Sequence, residues 1–248
     1  WESCPLCQKR MEEEGLANEE ELQSYFIRRI ETFINEHGRK LIGWDEILEG
    51  GLAPRATVMS WRGVDGGIEA ASQGHDVIMV PYTHMYFDGY QANPDREPLA
   101  IGYWAPLRKV YSFNPVPPEI SEEERTHVLG VQANLWTEYI ETPEYAEYMV
   151  LPRMSALGEV AWSPDSLRDW ENFQKRMRFQ YRRYAAAGAN FRIPDPFLTP
   201  AFLDTISISP PPADCTVRYT IDGTVPSETS AVYTRPVPLD THRVVKAR

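Results

Sequence analysis

Lys40-Leu41-Ile42-Gly43-Trp44-Asp45-Glu46 and Ala56-Thr57-Val58-Met59-Ser60-Trp61 are the stretches whose reading decides the fold. Two further runs have the same character: Asp76-Val77-Ile78-Met79-Val80-Pro81 and Val128-Leu129-Gly130-Val131-Gln132-Ala133-Asn134-Leu135-Trp136-Thr137-Glu138. Each is short, rich in branched residues and bounded by polar or Gly/Pro stretches, the pattern of a strand buried in a parallel sheet. Residues two apart on a strand share a face. That spacing pairs Trp44 with Glu46, Trp136 with Glu138 and, after the third run, Tyr86 with Asp88. Each pair sets an aromatic surface beside a carboxylate. A sugar ring binds to that combination, its C–H face on the aromatic and its hydroxyls on the acids.

Between the strands the spacing turns helical. Leu22, Phe26, Ile30, Phe33 and Ile34 recur at three- and four-residue intervals over Glu19–His37, and Gly38 ends the pattern. Residues 66–74 form a short helix closing at Gly74. The stretch from Tyr82 to Ser121, dense in aromatics and prolines, reads as a long irregular loop of the kind that carries function. Two helical segments, Pro143–Ala161 and Ser166–Ala187, follow and are broken at Ser163-Pro164. The alternation predicts an α/β fold with a parallel sheet. A lone Trp at a strand end is more often core than site. Trp44, Trp61 and Trp136 all fall at the end of successive strands where parallel sheets bind ligands, which points to a shared aromatic pocket.

From Phe197 the texture changes. Pro210-Pro211-Pro212 precedes short alternating stretches, Thr216–Thr224, Ala231–Thr234 and Val244–Arg248, with a turn signal at Asp222-Gly223. We expect a small β-sandwich that is cut in mid-strand. The expected domains are 1–195 and 196–248.

The 248 residues suffice for a full core, and a net charge of −11 argues against a nucleic-acid partner. The acidic stretches Glu12–Glu36 and Glu119–Glu147 read as solvated faces. No apolar run approaches the ~20 residues of a membrane span. Cys4-Pro5-Leu6-Cys7 has no second pair or nearby His, so it reads as a local disulfide or two plain thiols rather than a zinc site, with Cys215 left over. His37, His75, His84, His127 and His242 have no ligand spacing, and His84 beside Tyr86 reads as packing or surface. Nucleophile-elbow, zincin, P-loop and dinucleotide motifs do not occur, and nothing calls for a metal or cofactor.

The segments Leu41–Glu46, Val58–Gly63, Tyr86–Asp88, Gly130–Glu138 and Arg153–Ser163 are similar, in order, to motifs of the β-N-acetylhexosaminidases of glycoside hydrolase family twenty. Val217–Pro226 resembles a small C-terminal β-domain found behind some of these enzymes. The resemblance implies a (β/α)8 barrel, of which this chain supplies strands five to eight. It further implies exo-acting removal of terminal N-acetylglucosamine or N-acetylgalactosamine from an oligosaccharide or glycoconjugate. In that mechanism the sugar's own 2-acetamido oxygen is the nucleophile, an exception to the two-carboxylate scheme.

Carried over by position, the resemblance makes Trp44, Trp61 and Trp136 the walls of an acetamido pocket. Tyr86 orients the acetamido oxygen, Asp88 and Glu138 bind the sugar's 4- and 6-hydroxyls, and Trp104 is a candidate for stacking on the leaving sugar. The family's Gly-Gly-Asp-Glu motif does not occur here, and Trp1–Cys7 resembles the segment just after it. We therefore expect the Asp-Glu pair upstream of residue 1, a missing N-terminal half of the same protein, and no unaided cleavage by this chain. The family also implies a periplasmic, cell-surface or secreted location. Two other readings stay open: a conventional carboxylate pair, Glu46 with Glu138, and a non-catalytic carbohydrate-binding protein on a decayed barrel.

Overall fold

A computed structural model of the chain describes residues 1–196, 198–201, 205–209, 215–238 and 244–248. Phe197, Pro210–Pro212 and His242 lie outside the described residues. The chain divides into two compact units, Trp1–Trp170 and Glu171–Arg248.

The first unit opens with α1 (Pro5–Glu14) and α2 (Glu19–Glu36). Asn18 caps α2 by accepting from the Glu21 amide, and three glutamates in its first turn suit the helix dipole. The expected apolar stripe is only partly used. Leu22 is buried, but Phe26 and Phe33 are 56% and 59% exposed. The docking face is polar instead. Gln23 and Ser24 donate to the Glu46 and Glu49 carbonyls, and the Glu31 carboxylate accepts from the Arg55 amide. The apolar period of this helix therefore does not mark the face by which it docks.

Strands β1 (Ile42–Trp44), β2 (Thr57–Ser60) and β3 (Val77–Met79) follow, with α3 (Asp65–Ser72) between the last two. Next come α4 (Tyr82–Met85), β4 (Gly89–Tyr90), β5 (Ile101–Trp104), α5 (Leu107–Tyr111) and β6 (Val128–Val131). The main sheet has the order β1-β2-β3-β6, parallel throughout. Its register aligns Gly43, Val58, Val77 and Val128 in one row and Trp44, Met59, Ile78 and Gly130 in the next. The row with Val58 and Val77 faces α3, where Gly67 lets the helix approach: a Cβ there would meet the Met79 side chain at 2.6 Å and Val77 at 3.1 Å. Val58, Ser60, Val77 and Met79 are fully buried on that side.

Several expectations are corrected. First, β1 ends at Trp44, and Asp45–Leu48 is a 3-10 turn in which Ile47 folds back over Gly43. Glu46 therefore does not share a strand face with Trp44. Second, β6 ends at Val131, short of Trp136 and Glu138. Its partner β3 runs into Pro81, which has no N–H, and then into α4, so the regular ladder stops. Beyond it the chain is tied by Gln132 and Asn134 amides to the Met79 and Met85 carbonyls, with an isolated bridge between Tyr86 and Asn134.

Third, residues 82–121 are not an irregular loop. They hold α4, α5 and the paired strands β4 and β5. A separate small core of Ala100, Ile140 and Met149 lies under them, flanked by Tyr90, Leu135 and Tyr145. The predicted helix over Pro143–Ala161 is two, α6 (Pro143–Val150) and α7 (Arg153–Trp162), because Pro152 cannot continue α6. Arg153, at the start of α7, is wholly buried. Its guanidinium donates to the carbonyls of Phe87, Gly89, Ala105 and Met149 and lies over the Phe87 ring.

In the second unit α8 (Trp170–Ala186) buries Phe173, Met177, Tyr181 and Tyr184, spaced three and four apart. Strands β7 (Leu198–Ala201), β8 (Thr205–Ile208), β9 (Arg218–Thr220), β10 (Ala231–Val232), β11 (Val237–Pro238) and β12 (Lys246–Ala247) follow. They form two antiparallel three-stranded sheets, β11-β8-β7 and β10-β9-β12. The turn at Asp222-Gly223 is present, with the Thr224 amide and hydroxyl both donating to Asp222 Oδ1 and Gly223 at φ 79°.

Candidate active site

The chain leaves β1 at Trp44 and β2 just before Trp61, so both indoles sit at the C-terminal ends of parallel strands. Trp136 reaches the same neighbourhood from the irregular extension of β6: its ring centroid is 6.2 Å from that of Trp44 at a 47° tilt. Trp61 stacks on Tyr86, with centroids 6.2 Å apart and 25° between planes, and meets Tyr82 edge-on. Tyr103 of β5 packs edge-on against both Tyr82 and Tyr86. The indole of Trp136 also reaches the Tyr86 phenol, so the aromatic groups form one cluster.

Carboxylates set the orientation of these rings. Glu46 accepts the Trp61 indole N–H with both oxygens, at 3.1 and 3.0 Å. Asp45 is buried and takes the Trp61 and Arg62 amides at 3.0 and 3.1 Å and the Arg62 Nε at 2.6 Å. Arg62 also pairs with Glu49 at 2.7 Å. The adjacent Asp-Glu dipeptide is thus committed to fixing the loop after β2. The ion pairs to Arg62 are made by Asp45 and Glu49, on either side of Glu46.

Asp88 is 2% exposed. The Tyr103 hydroxyl donates to its Oδ2 at 2.6 Å, whereas Oδ1 has no partner. Burial pushes this carboxyl above the usual range, the Tyr103 hydrogen bond pulls the other way, and the charge of Glu138 adds to the rise. Burial likewise raises the Tyr86 phenol, countered by the side chains of Asn134 and Trp136. The Asn134 carboxamide also accepts from the Gln132 side chain at 2.8 Å. A buried acceptor, Asp88 Oδ1, therefore lies beside the aromatic cluster.

Among the sequence-predicted residues, Trp44, Trp61, Tyr86, Asp88 and Trp136 come together, and the field of Glu138 reaches Asp88 from an exposed position. Trp104 is 58% exposed at the end of β5. His84 hydrogen-bonds Thr83 and packs on Phe113, and burial with nearby Lys109 holds its imidazole below the usual value. Tyr103 and Arg153 escaped the sequence reading. Tyr103 lies in a stretch read as loop, and Arg153 donates to four backbone carbonyls, contacts that leave no trace in side-chain patterns. Among the described residues no group of His, Cys, Asp and Glu could hold a metal ion. A cavity of about 600 Å³ between α1 and α2, lined by Trp1, Leu6, Cys7, Leu22, Tyr25 and Phe26, shares no residue with the cluster.

An aromatic cluster edged by carboxylates at the C-terminal ends of parallel strands lies where α/β folds place their ligand sites. Residues 1–165 match the catalytic domain of glycosyl hydrolase family 20, and residues 202–248 match the chitobiase/beta-hexosaminidase C-terminal domain. The chain belongs to glycosyl hydrolase family 20. A beta-hexosaminidase of Porphyromonas gingivalis is 46% identical over 261 residues, covering 100% of this chain and 33% of its own. One from Vibrio furnissii is 34% identical over 163 residues, covering 63% of this chain and 26% of its own. In structure, the GH20 exo beta-N-acetylglucosaminidase of Vibrio harveyi, solved with N-acetylglucosamine, matches with a TM-score of 0.70 at 29% identity. That match covers 77% of this chain and 30% of the Vibrio harveyi chain. The first unit is accordingly part of a family 20 barrel, and a C-terminal domain follows it. The chain spans about a third of the length of the Porphyromonas gingivalis relative.

Proposed function

We propose that this chain supplies the acetamido-binding half of an exo-acting β-N-acetylhexosaminidase. The enzyme removes terminal N-acetylglucosamine or N-acetylgalactosamine with retention, the substrate's acetamido oxygen attacking the anomeric carbon. The observation that carries this reading is the joined cluster of Trp44, Trp61, Tyr86 and Trp136 around an open acceptor on Asp88. Indole walls press the acetamido group toward the anomeric carbon and suit the positive charge that develops there. The Tyr86 hydroxyl donates to the acetamido oxygen, while Asp88 and Glu138 take the 4- and 6-hydroxyls. Trp104, exposed at the end of β5, stacks on the leaving sugar.

The proposal assigns the four parallel strands to positions five through eight of the barrel. The family's Asp-Glu pair then comes from polypeptide outside these 248 residues, which is supported by the one-third coverage of relatives. We read the two antiparallel sheets near the C-terminus as the layers of a small β-sandwich. No helix among the described residues is long and apolar enough to cross a membrane. An enzyme that trims oligosaccharides works where they are, so the proposal extends to a periplasmic, cell-surface or secreted location. The conventional pair of Glu46 and Glu138 is disfavoured, because both oxygens of Glu46 accept from Trp61.

The test is Tyr86→Phe in the protein carrying the complete catalytic domain. kcat should fall about ten- to a thousandfold, as for loss of an electrostatic donor, with a smaller change in KM. A near-normal kcat would remove Tyr86 from the mechanism.

A further inference from the structure

We propose that Tyr103 is a positioning residue for sugar recognition: its hydroxyl holds one oxygen of Asp88, leaving the other as a single fixed acceptor for one substrate hydroxyl. The inference rests on the reading that Asp88 grips the sugar.

Several contacts meet at this side chain, among them an edge-on packing against Tyr82. The hydroxyl donates to Asp88 Oδ2 at 2.6 Å. The ring packs edge-on against Tyr86, with centroids 6.0 Å apart and planes at 68°. Gly89 gives it room, since a Cβ there would lie 2.5 Å from the Tyr103 ring and 2.8 Å from its carbonyl oxygen. The Tyr103 hydroxyl acts on this carboxylate together with the backbone N–H groups of Asp88 and Trp136, so the direction of Oδ1 is set by the protein rather than by the ligand. Oδ1 is buried and unpartnered, and a buried acceptor of that kind is completed by a donor from outside. A freely rotating carboxylate would accept a hydroxyl from several directions. A fixed one reads its configuration, and the two amino sugars proposed as substrates differ only in the configuration of the 4-hydroxyl.

The experiment uses the protein with its complete catalytic domain and aryl glycosides of both amino sugars. Tyr103→Phe keeps the ring and removes the donor. It should raise KM about tenfold, the scale of a hydrogen bond to a charged group, while kcat stays within about threefold. The preference between the two sugars should narrow. Tyr103→His, which retains a ring and an N–H donor, should recover part of the affinity. On an Asp88→Asn background the Phe substitution should add nothing, because the two residues act as one unit. Tyr103, Tyr86 and Glu138 surround the Asp88 carboxyl. Removing the Tyr103 donor destabilises the carboxylate, so the acid limb of 1/KM should move to higher pH.

Asp88→Asn with an unchanged KM overturns the sugar-gripping role of Asp88, and this inference with it. Asp88→Asn that weakens binding while Tyr103→Phe changes neither KM nor preference overturns the inference alone. A Tyr103→Phe protein that loses its fold by circular dichroism assigns the hydroxyl to stability and also overturns it.

Discussion

The two faces of the four-stranded sheet are finished differently. On one, Val58, Ser60, Val77 and Met79 are sealed beneath α3, and the Gly67 amide donates to Ser60 Oγ. On the other, Trp44, Met59 and Ile78 line up across the register only half-buried, and Ile42 is 51% exposed. Helices make the first face self-sufficient. In a closed barrel the second is the side packed into the interior by the remaining strands, with the site at its upper rim. The stability of these residues therefore resides on the helix side, and their chemistry at the end of the open side.

The largest expected effect tests that division directly. Met79→Ala removes a fully buried side chain from the sealed face and should destabilise by about 2–5 kcal/mol in denaturant melts. Ile42→Ala on the open face should cost less than about 0.5 kcal/mol in residues 1–248 alone. In a protein with a closed barrel the Ile42 variant should approach the cost of a core substitution. Equal losses from the two variants in residues 1–248 would erase the contrast between the faces.

The sealed face was legible in the sequence because its cause is local: short runs of strand length rich in branched residues, each bounded by polar or Gly/Pro stretches. The alternation and the aromatic cluster were visible for the same reason. What escaped depended on contacts distant in sequence. Trp44 and Glu46 look like face-sharing neighbours until Asp45 is seen to bind the Trp61 and Arg62 amides and pull the chain into a 3-10 turn. Phe26 and Phe33 look like core until α2 is seen to dock through Gln23, Ser24 and Glu31. Tyr103 was hidden in a stretch whose order comes from its own small core and from the buried Arg153. Arginine–carbonyl contacts follow no period, so no pattern announces them.

An intermediate effect concerns the rim where the open face ends. If Glu46 serves to orient Trp61, the acceptor matters and the charge does not. Glu46→Leu should lower kcat/KM of the complete enzyme about tenfold, whereas Glu46→Gln, whose amide oxygen still accepts the indole N–H, should stay within about threefold. A conventional carboxylate mechanism predicts the opposite pattern. Gln cannot serve as nucleophile or base, so both variants would fail together and one limb of the pH–rate profile would vanish.

The smallest effect is a pH dependence of stability at Asp88. Burial first, and then the charge of Glu138, raise this carboxyl above its unfolded value, against the pull of the Tyr103 hydroxyl. Over the window between the unfolded and folded values, the folded protein holds a proton that the unfolded chain has released. Stability then falls as pH rises through that window, and the penalty is complete above the folded value. Asp88→Asn cannot ionise, so its melting temperature should exceed that of the parent near neutral pH and the gap should close toward about pH 4. The same variant should bind the sugar more weakly, which would mark the buried carboxylate as a group kept for recognition at the expense of stability. A gap that stays constant with pH would mean that the raised carboxyl is not what the substitution relieves.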